Sequence, residues 1–550
     1  MITPGQWKPV GGIDLEPNAD TAVRETMRNM AVTAGPGAGK TELLAQRADF
    51  LLRTGTCRYP KRILAISFKV DAARNLQRRV TERCGPELAA RLDSHTFHAF
   101  AKRLIDRYRG VLTGTDSLDP DYAVSTVRVQ HRTIRFDDFL PLARTIIEQE
   151  PTARAAIRQT YTHVFLDEFQ DCTANQYGLI QDLFGGRDAR LTAVGDTKQR
   201  IMRFAGALEG IYARYAIDFD AEPLNLYQNY RSKPVLRRMQ NRMVAVMEPT
   251  AAVPQASIEG DDGTIEKLEA ADEFDEARRV TETLVKALEG GTPHAEIAVV
   301  VAKQLDDYAA ALKAELDARA VSYRDEARDQ DMFAEPVTRL VYDLLTVVIT
   351  RHQPDSYRRL VATTERLAGP SHSETLVARV TEHLGRVSSQ IDSGEIDCRR
   401  PEPVRGIIDG YLELIGLDAL RGWSPEYAYG TRVEDLIDSS LAHYSKHLDS
   451  GSSPAQALRR LAEPDAIRLL TVHKAKGLEF EMVIFLAVEE QTFWADPNEE
   501  RAVFFVGISR AKNRLILTTS ATRRCPPGVP NWRWVERRTA HEEFMSYIVE

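Results

Sequence analysis

Long apolar runs are scarce in this 550-residue chain: the longest, Leu340 to Thr350, is short and carries Asp343. A bilayer-crossing helix needs about 20 apolar residues, so no membrane span is expected. The opening residues, MITPGQWKPVGG, have no apolar core behind a basic end, and no signal peptide is expected either. Cysteine is also rare. Cys57, Cys84, Cys172, Cys398 and Cys525 lie dozens of residues apart and never form C-x-x-C. That spacing argues against a zinc knuckle, a local iron–sulfur cassette or a disulfide scaffold, and a reducing cytoplasmic interior is the expected compartment. Internal repeats, heptads and low-complexity tracts are absent. So is a surplus of positive charge: Lys+Arg 72 against Asp+Glu 80 gives −8, so a bound nucleic acid must meet a local basic surface.

What is present describes a globular chain. The 43% hydrophobic and 28% charged fractions lie well away from disorder, and the length suggests three or four domains of about 150 residues. Short β-branched or apolar runs precede turn signals at Met30 to Thr33, Ile63 to Ser67, His163 to Leu166, Leu191 to Val194, Ile297 to Ala302, Ile467 to Val472, Val483 to Ala487 and Leu515 to Thr518. Helix-like stretches separate them, as in Glu42 to Leu52, so two α/β blocks with parallel sheets are predicted. The first takes 1–98 and 160–217, the second 218–330 and 463–550. Segments 99–159 and 331–462 have few strand signals and read as mostly helical insertions. Glu259 to Glu276 holds nine acids and one lysine and reads as a solvated linker or helix face. Residues 51–110 hold 14 Lys/Arg against 5 Asp/Glu, the concentrated positive charge that phosphate contacts require.

Two motifs carry chemistry directly. Ala34-Gly35-Pro36-Gly37-Ala38-Gly39-Lys40-Thr41 follows a strand and opens a helix. Its glycines let backbone N–H groups turn around phosphates, Lys40 can reach the β/γ oxygens, Thr41 can hold Mg²⁺, and the helix N-terminus favours an anion. The strict pattern has Gly where Ala34 stands. Asp167-Glu168-Phe169-Gln170-Asp171 ends the strand His163 to Leu166. There Asp167 can share the Mg²⁺ with Thr41, and Glu168 can take a proton from an attacking water.

These motifs are joined, in order, by Ile63 to Phe68, Ser94 to Phe100, Val194 to Ala207, Leu226 to Ser232, Thr471 to Phe480 and Val506 to Lys512. Together they make the chain resemble a superfamily 1 helicase of the UvrD/Rep type over nearly 500 residues. The resemblance implies two RecA-like cores, the insertions falling where the family places its accessory domains. It implies ATP and Mg²⁺ as cofactors and single-stranded DNA or a tailed duplex as partner, with movement 3′ to 5′. It gives Gln199 a role in sensing the γ-phosphate and its water, makes Arg231 and Arg510 charge-stabilising arginines, stacks Tyr230 on adenine and puts Glu479 near the nucleotide. Phe68, Phe97 and Phe204, with His98 beside them, match positions that meet DNA bases, where each stacked base is worth about 1 to 3 kcal/mol.

The chain also departs from the family. A glutamine that bonds the adenine edge is expected 21 residues before the P-loop lysine, and Ala19 stands there. Base selection should relax, with GTP used nearly as well as ATP. Met202 and Ala205 replace a frequent Tyr and Arg, and only 69 residues separate Phe97 from Asp167, so the first insertion is small. These reductions keep a rival reading open: a DNA- or nucleotide-responsive regulatory ATPase controlling a partner such as a nuclease, like the helicase-like subunits of Gabija-type antiviral systems. A P-loop kinase or GTPase would explain neither Arg510 nor a second core. Trp532 and Trp534 read as packing residues.

Overall fold

A computed structural model describes residues 2–548 except 69, 125–126, 187–188, 200–207, 326–334, 351–352, 369–372, 422–426, 428–430, 450–452 and 463–465. In chain order the strands are β1 Asn29–Ala34, β2 Arg62–Ser67, β3 Leu92–Thr96, β4 Leu118–Val124, β5 His131–Ile134, β6 Tyr161–Leu166, β7 Arg190–Gly195, β8 Ala221–Leu226, β9 Thr264–Ala270, β10 Ile297–Val301, β11 Tyr323–Asp325, β12 Ile467–Thr471, β13 Phe480–Phe485 and β14 Ala511–Ser520. Two six-stranded sheets form, ordered β3-β2-β6-β7-β1-β8 and β11-β12-β10-β13-β14-β9. Neighbouring strands run parallel throughout both.

A parallel sheet needs crossover helices, and these cover both faces. Central strands are therefore buried end to end, as in β10, whose Ile297, Ala298, Val299, Val300 and Val301 are all inaccessible. The helix Lys40–Arg53 lays Leu44, Ala48 and Leu51 against Val32, Phe165 and Val194 of the first sheet. The second sheet is packed on one face by Met239, Met243 and Phe505 and on the other by Val280, Leu284 and Leu312. In both sheets the C-terminal strand ends lie along one edge, where ligands bind in open α/β sheets.

The chain divides into two compact units: Met1–Leu112 with Phe139–Ala327 and Ala466–Glu550, and Thr113–Asp138 with Arg328–Asp465. The first contains both six-stranded sheets. The second has a helical core built on Leu344, Val380, Tyr411 and Tyr444. The apolar stretch ending at Thr350 lies in its helix Pro336–Thr350, where the buried Asp343 is neutralised by Arg359. Among the described residues no helix is long and apolar enough to cross a membrane.

Three expectations change. Strand β8 pairs with β1, so the first core runs past residue 217 to Leu226. Segment 99–159 is not one helical insertion. The helices Phe97–Tyr108 and Phe139–Gln149 pack on each other within the first unit, and only Thr113–Asp138, with the β4–β5 pair, leaves it. The acidic stretch Glu259 to Glu276 is no linker: it forms edge strand β9 and opens the helix Glu273–Glu289. Its last acid, Glu276, is buried and bridged at 2.8 Å by Arg523, which also grips Glu489.

Candidate active site

Strand β1 delivers the phosphate loop. Gly37 and Gly39 adopt φ of +70° and +77°, which only glycine accepts cheaply, and a side chain on Gly37 would collide with Asn229 and Arg231. The loop is braced by Tyr230, whose N–H donates to the Gly37 carbonyl at 2.9 Å. The first backbone N–H groups of the helix Lys40–Arg53 have no intrahelical acceptors, and Lys40 Nζ donates to the Ala34 carbonyl at 3.3 Å.

Strand β6 delivers the carboxylates. Asp167 is buried, and Glu168 sits in the left-handed region at φ +51°, a strained setting for a non-glycine residue. Burial, reinforced by the neighbouring Glu168 charge, pushes the Asp167 carboxyl up to about 7. Burial acts on Glu168 in the same sense, but Lys40, Lys476, Gln170 and Arg510 outweigh it and hold that carboxyl below its usual value. A hydroxyl and a buried carboxylate whose burial outweighs the pull of Lys40 are hard oxygen donors, and Thr41 with Asp167 therefore fits Mg²⁺. Gln170 ties this strand end to the next one: its amide N–H donates to Glu168, and its Oε1 accepts from the Asp196 N–H at 2.9 Å.

The second core closes on this apparatus. Arg510 is 2% exposed; its Nη2 donates to Gln199 Oε1 at 3.0 Å and its Nε to the Val506 carbonyl at 2.9 Å. Burial, and then the charge of Arg231, pushes its guanidinium down to about 9. Arg231 donates to Glu479 at 2.7 Å and to the Ser509 carbonyl at 3.2 Å. Two cations crowded together in a cleft beside Lys40 create a strong field for a polyanion. Tyr230 keeps 52% of its surface exposed, leaving its ring free to stack. Lys476 is buried, donating to Asp171 at 2.6 Å and to the Gln199 carbonyl at 2.9 Å. Sequence reasoning passed over Lys476, Gln170 and Asp171, although all three lie inside motifs it had marked.

The nucleic-acid residues divide. Phe68 follows β2 and is half-buried, and His98 is half-buried near the start of its helix. Phe97 is a correction: at 4% exposure, packed on the same helical stripe as Phe100, Ala101 and Leu104, it is a core residue and presents no face to a base. Phe204, Met202 and Ala205 lie outside the described residues. The positive excess of 51–110 is smaller in practice, because Arg53 is paired with Asp49 and both Arg79 and Arg83 with Glu42. Ala19 is 6% exposed on the core side of the helix Pro17–Arg24. Beside it, Glu16 accepts from the N–H groups of Tyr227 and Gln228, and Asn18 donates to the Asn225 carbonyl at 2.7 Å.

Comparison with known proteins agrees with this geometry. Residues 19–205 match the model of an AAA domain, and residues 224–398 and 440–522 match that of the UvrD-like helicase C-terminal domain. DNA helicase II of Escherichia coli (strain K12) is 24% identical over 92% of this chain and 84% of its own length. ATP-dependent DNA helicase Rep of the same organism is 24% identical over 93% of this chain and 91% of its own. ATP-dependent DNA helicase PcrA of Bacillus subtilis (strain 168) is 23% identical over 92% and 83%. With both matches in chain order, one on each sheet, the chain belongs to the UvrD-like DNA helicases of superfamily 1.

Proposed function

We propose that this protein hydrolyses ATP with Mg²⁺ and uses the cycle to move 3′ to 5′ along single-stranded DNA, in repair, replication or defence. The observation that carries the reading is the contact of Arg510, from the second core, with Gln199 of the first. A hydrolytic site completed only when two cores meet makes closure depend on nucleotide and turnover depend on closure.

In this reading the loop Gly35 to Gly39 and Lys40 cradle the β- and γ-phosphates, and Tyr230 stacks on the base. Thr41 and Asp167 hold Mg²⁺, which neutralises charge on the phosphate oxygens when bound. Glu168, kept ionised by its cationic neighbours, takes the proton from the attacking water while Gln199 orients it. Arg231 and Arg510 meet the charge that develops on the transferred group, an effect worth about 10³- to 10⁵-fold in rate. Glu479 pairs Arg231 at rest and would release it to the phosphates. Phe68 supplies a base-stacking ring, with His98 beside it and Phe204 the matching candidate on the first core.

Strand displacement from a tailed duplex, run beside DNA-stimulated phosphate release, tests the proposal. Displacement from a 3′ tail that fails with Lys40→Ala supports it. Vigorous hydrolysis with no displacement and no movement on single strands overturns the motor in favour of the regulatory ATPase.

A further inference from the structure

The short turn Thr197–Gln199 after β7 carries Gln199, and among the described residues three side chains of the second core hydrogen-bond to it. Two are the contacts of Arg510 and Lys476 described above. The third comes from a residue outside every sequence motif. Glu248, immediately after the helix Pro234–Met247, accepts at one oxygen both from Thr197 Oγ1 at 3.0 Å and from Lys198 Nζ at 3.1 Å. Lys198 is itself buried and lies 3.4 Å from the buried Asp196, whose other oxygen has no partner among the described residues. The backbone of the turn closes on the same acid: Lys198 N–H donates to Asp196 Oδ1 at 3.1 Å and Gln199 N–H to the Asp196 carbonyl at 3.1 Å. Asp196, Lys198 and Glu248 thus form one charge chain running from the end of β7 into the second core.

The helix that ends at Glu248 begins three residues after Arg231. Its N-terminal end is fixed to the second core, since Ser232 Oγ donates to the Ala511 carbonyl at 2.7 Å and Lys233 N–H to that of Lys512 at 2.8 Å. Fourteen helical residues make a rod of about 21 Å. One end carries the arginine proposed to meet the γ-phosphate, and the other grips the turn bearing the residue proposed to sense it. Arg231 and Glu248 are therefore joined by one stiff element of the second core, so a movement of that core carries both ends together.

We propose that Glu248 is a positioning residue: through Thr197 and Lys198 it seats the Gln199 turn against the second core, so that the water-orienting amide is aligned only while the rod is in its closed place. The inference rests on the reading of Gln199 given under the proposed function. A positioning contact acts on the aligned state and not on nucleotide capture, so its loss falls on turnover and not on the Michaelis constant.

The test is steady-state ATP hydrolysis with saturating single-stranded DNA. Glu248→Ala is expected to lower kcat about tenfold with KM for ATP within about twofold, the scale of one charged hydrogen bond. Glu248→Gln, which keeps an acceptor for Thr197, should lose clearly less. If the effect passes through Lys198, the double variant Lys198→Met/Glu248→Ala should be no slower than the worse single variant. A wild-type kcat for Glu248→Ala, or fully additive losses in the double variant, overturns the proposal; so does a fall in thermal stability with kcat unchanged. Gln199→Ala separates the two levels: if it hydrolyses normally, the reading of the site has failed, and if it is inactive while Glu248→Ala is normal, only the positioning role has.

Discussion

Removing the Arg510 guanidinium tests the interblock site most directly, because the structure assigns it offsetting effects on stability and an unopposed effect on rate. The side chain is buried beside Arg231 and ends on the Gln199 amide and on the carbonyls of Val506 and Leu478. Truncation to alanine takes this donor from Gln199 Oε1 and the Leu478 carbonyl, at about 1 to 3 kcal/mol for each that stays dry, while the Val506 carbonyl keeps the Ser509 hydroxyl at 2.9 Å. It also removes a buried cation held next to a like charge, which is itself costly to the nucleotide-free protein. The two effects offset, so the melting temperature of Arg510→Ala without nucleotide should move by only a few degrees. Turnover is not offset. The charge acts mainly in the transition state, and its loss should cut DNA-stimulated kcat by about 10³-fold or more while ATP affinity stays within a few fold. Arg510→Lys keeps the charge but cannot reach Gln199 and Val506 together, so it should fall between. Phosphate release and binding of a fluorescent nucleotide separate the quantities. A normal turnover number for Arg510→Ala would show that the second core does not complete the site.

Lys40→Ala should weaken both nucleotide binding and turnover, whereas Glu168→Gln should bind ATP yet barely hydrolyse it; substantial DNA-stimulated turnover in Glu168→Gln would remove that residue as the base. Phe68→Ala should weaken single-stranded DNA binding by about 1 to 3 kcal/mol in fluorescence anisotropy, with thermal stability retained. The buried Phe97 should respond the other way, Phe97→Ala costing about 3 to 5 kcal/mol of stability, and selective loss of DNA affinity there would contradict its place in the core. With Glu16 and Asn18 committed to backbone partners, the ratio of kcat/KM for ATP to that for GTP should lie near one, and a strong ATP preference would show that another group reads the base. Ala19→Gln, which would otherwise restore the family's amide, has to fit a longer side chain into a packed face and should lose about 1 to 3 kcal/mol of stability.

What the sequence disclosed of the fold follows from where water reaches it. Strands buried on both faces, such as β10 and the Met482–Phe485 part of β13, are uninterrupted apolar runs and stand out in the chain. The strands that escaped notice lie at or near sheet edges. Strand β8 contains Pro223 and buries only its end residues Ala221 and Leu226, and β9 exposes Glu266, Lys267 and Glu269. Both belong to parallel edges, where one side needs no partner and the pattern resembles a loop or a charged linker. The boundary between the cores was misplaced for the same reason, since β8 is the strand that carries the first sheet up to the second core.

The site divides along a different line. Phosphate chemistry was readable because a P-loop is a local object: strand, glycines, lysine and helix start occupy a dozen consecutive residues, and each type is dictated by the group it faces. The contacts that join the cores have no such signature. Lys476 meets Asp171 across 305 positions, and Glu248 meets Thr197 across 51. Composition and period say nothing about pairs so far apart, and an isolated glutamate after a helix reads as ordinary surface. Phe97 shows the converse: a motif suggested a stacking ring, but Phe97, Phe100, Ala101 and Leu104 already mark one helical stripe, and that period was the better guide to where the ring points. A motif reports which chemistry a segment has kept, and only packing decides which of its side chains face the ligand. The residues that couple the two cores are therefore better sought among buried charges with partners on the other core than among the motifs themselves.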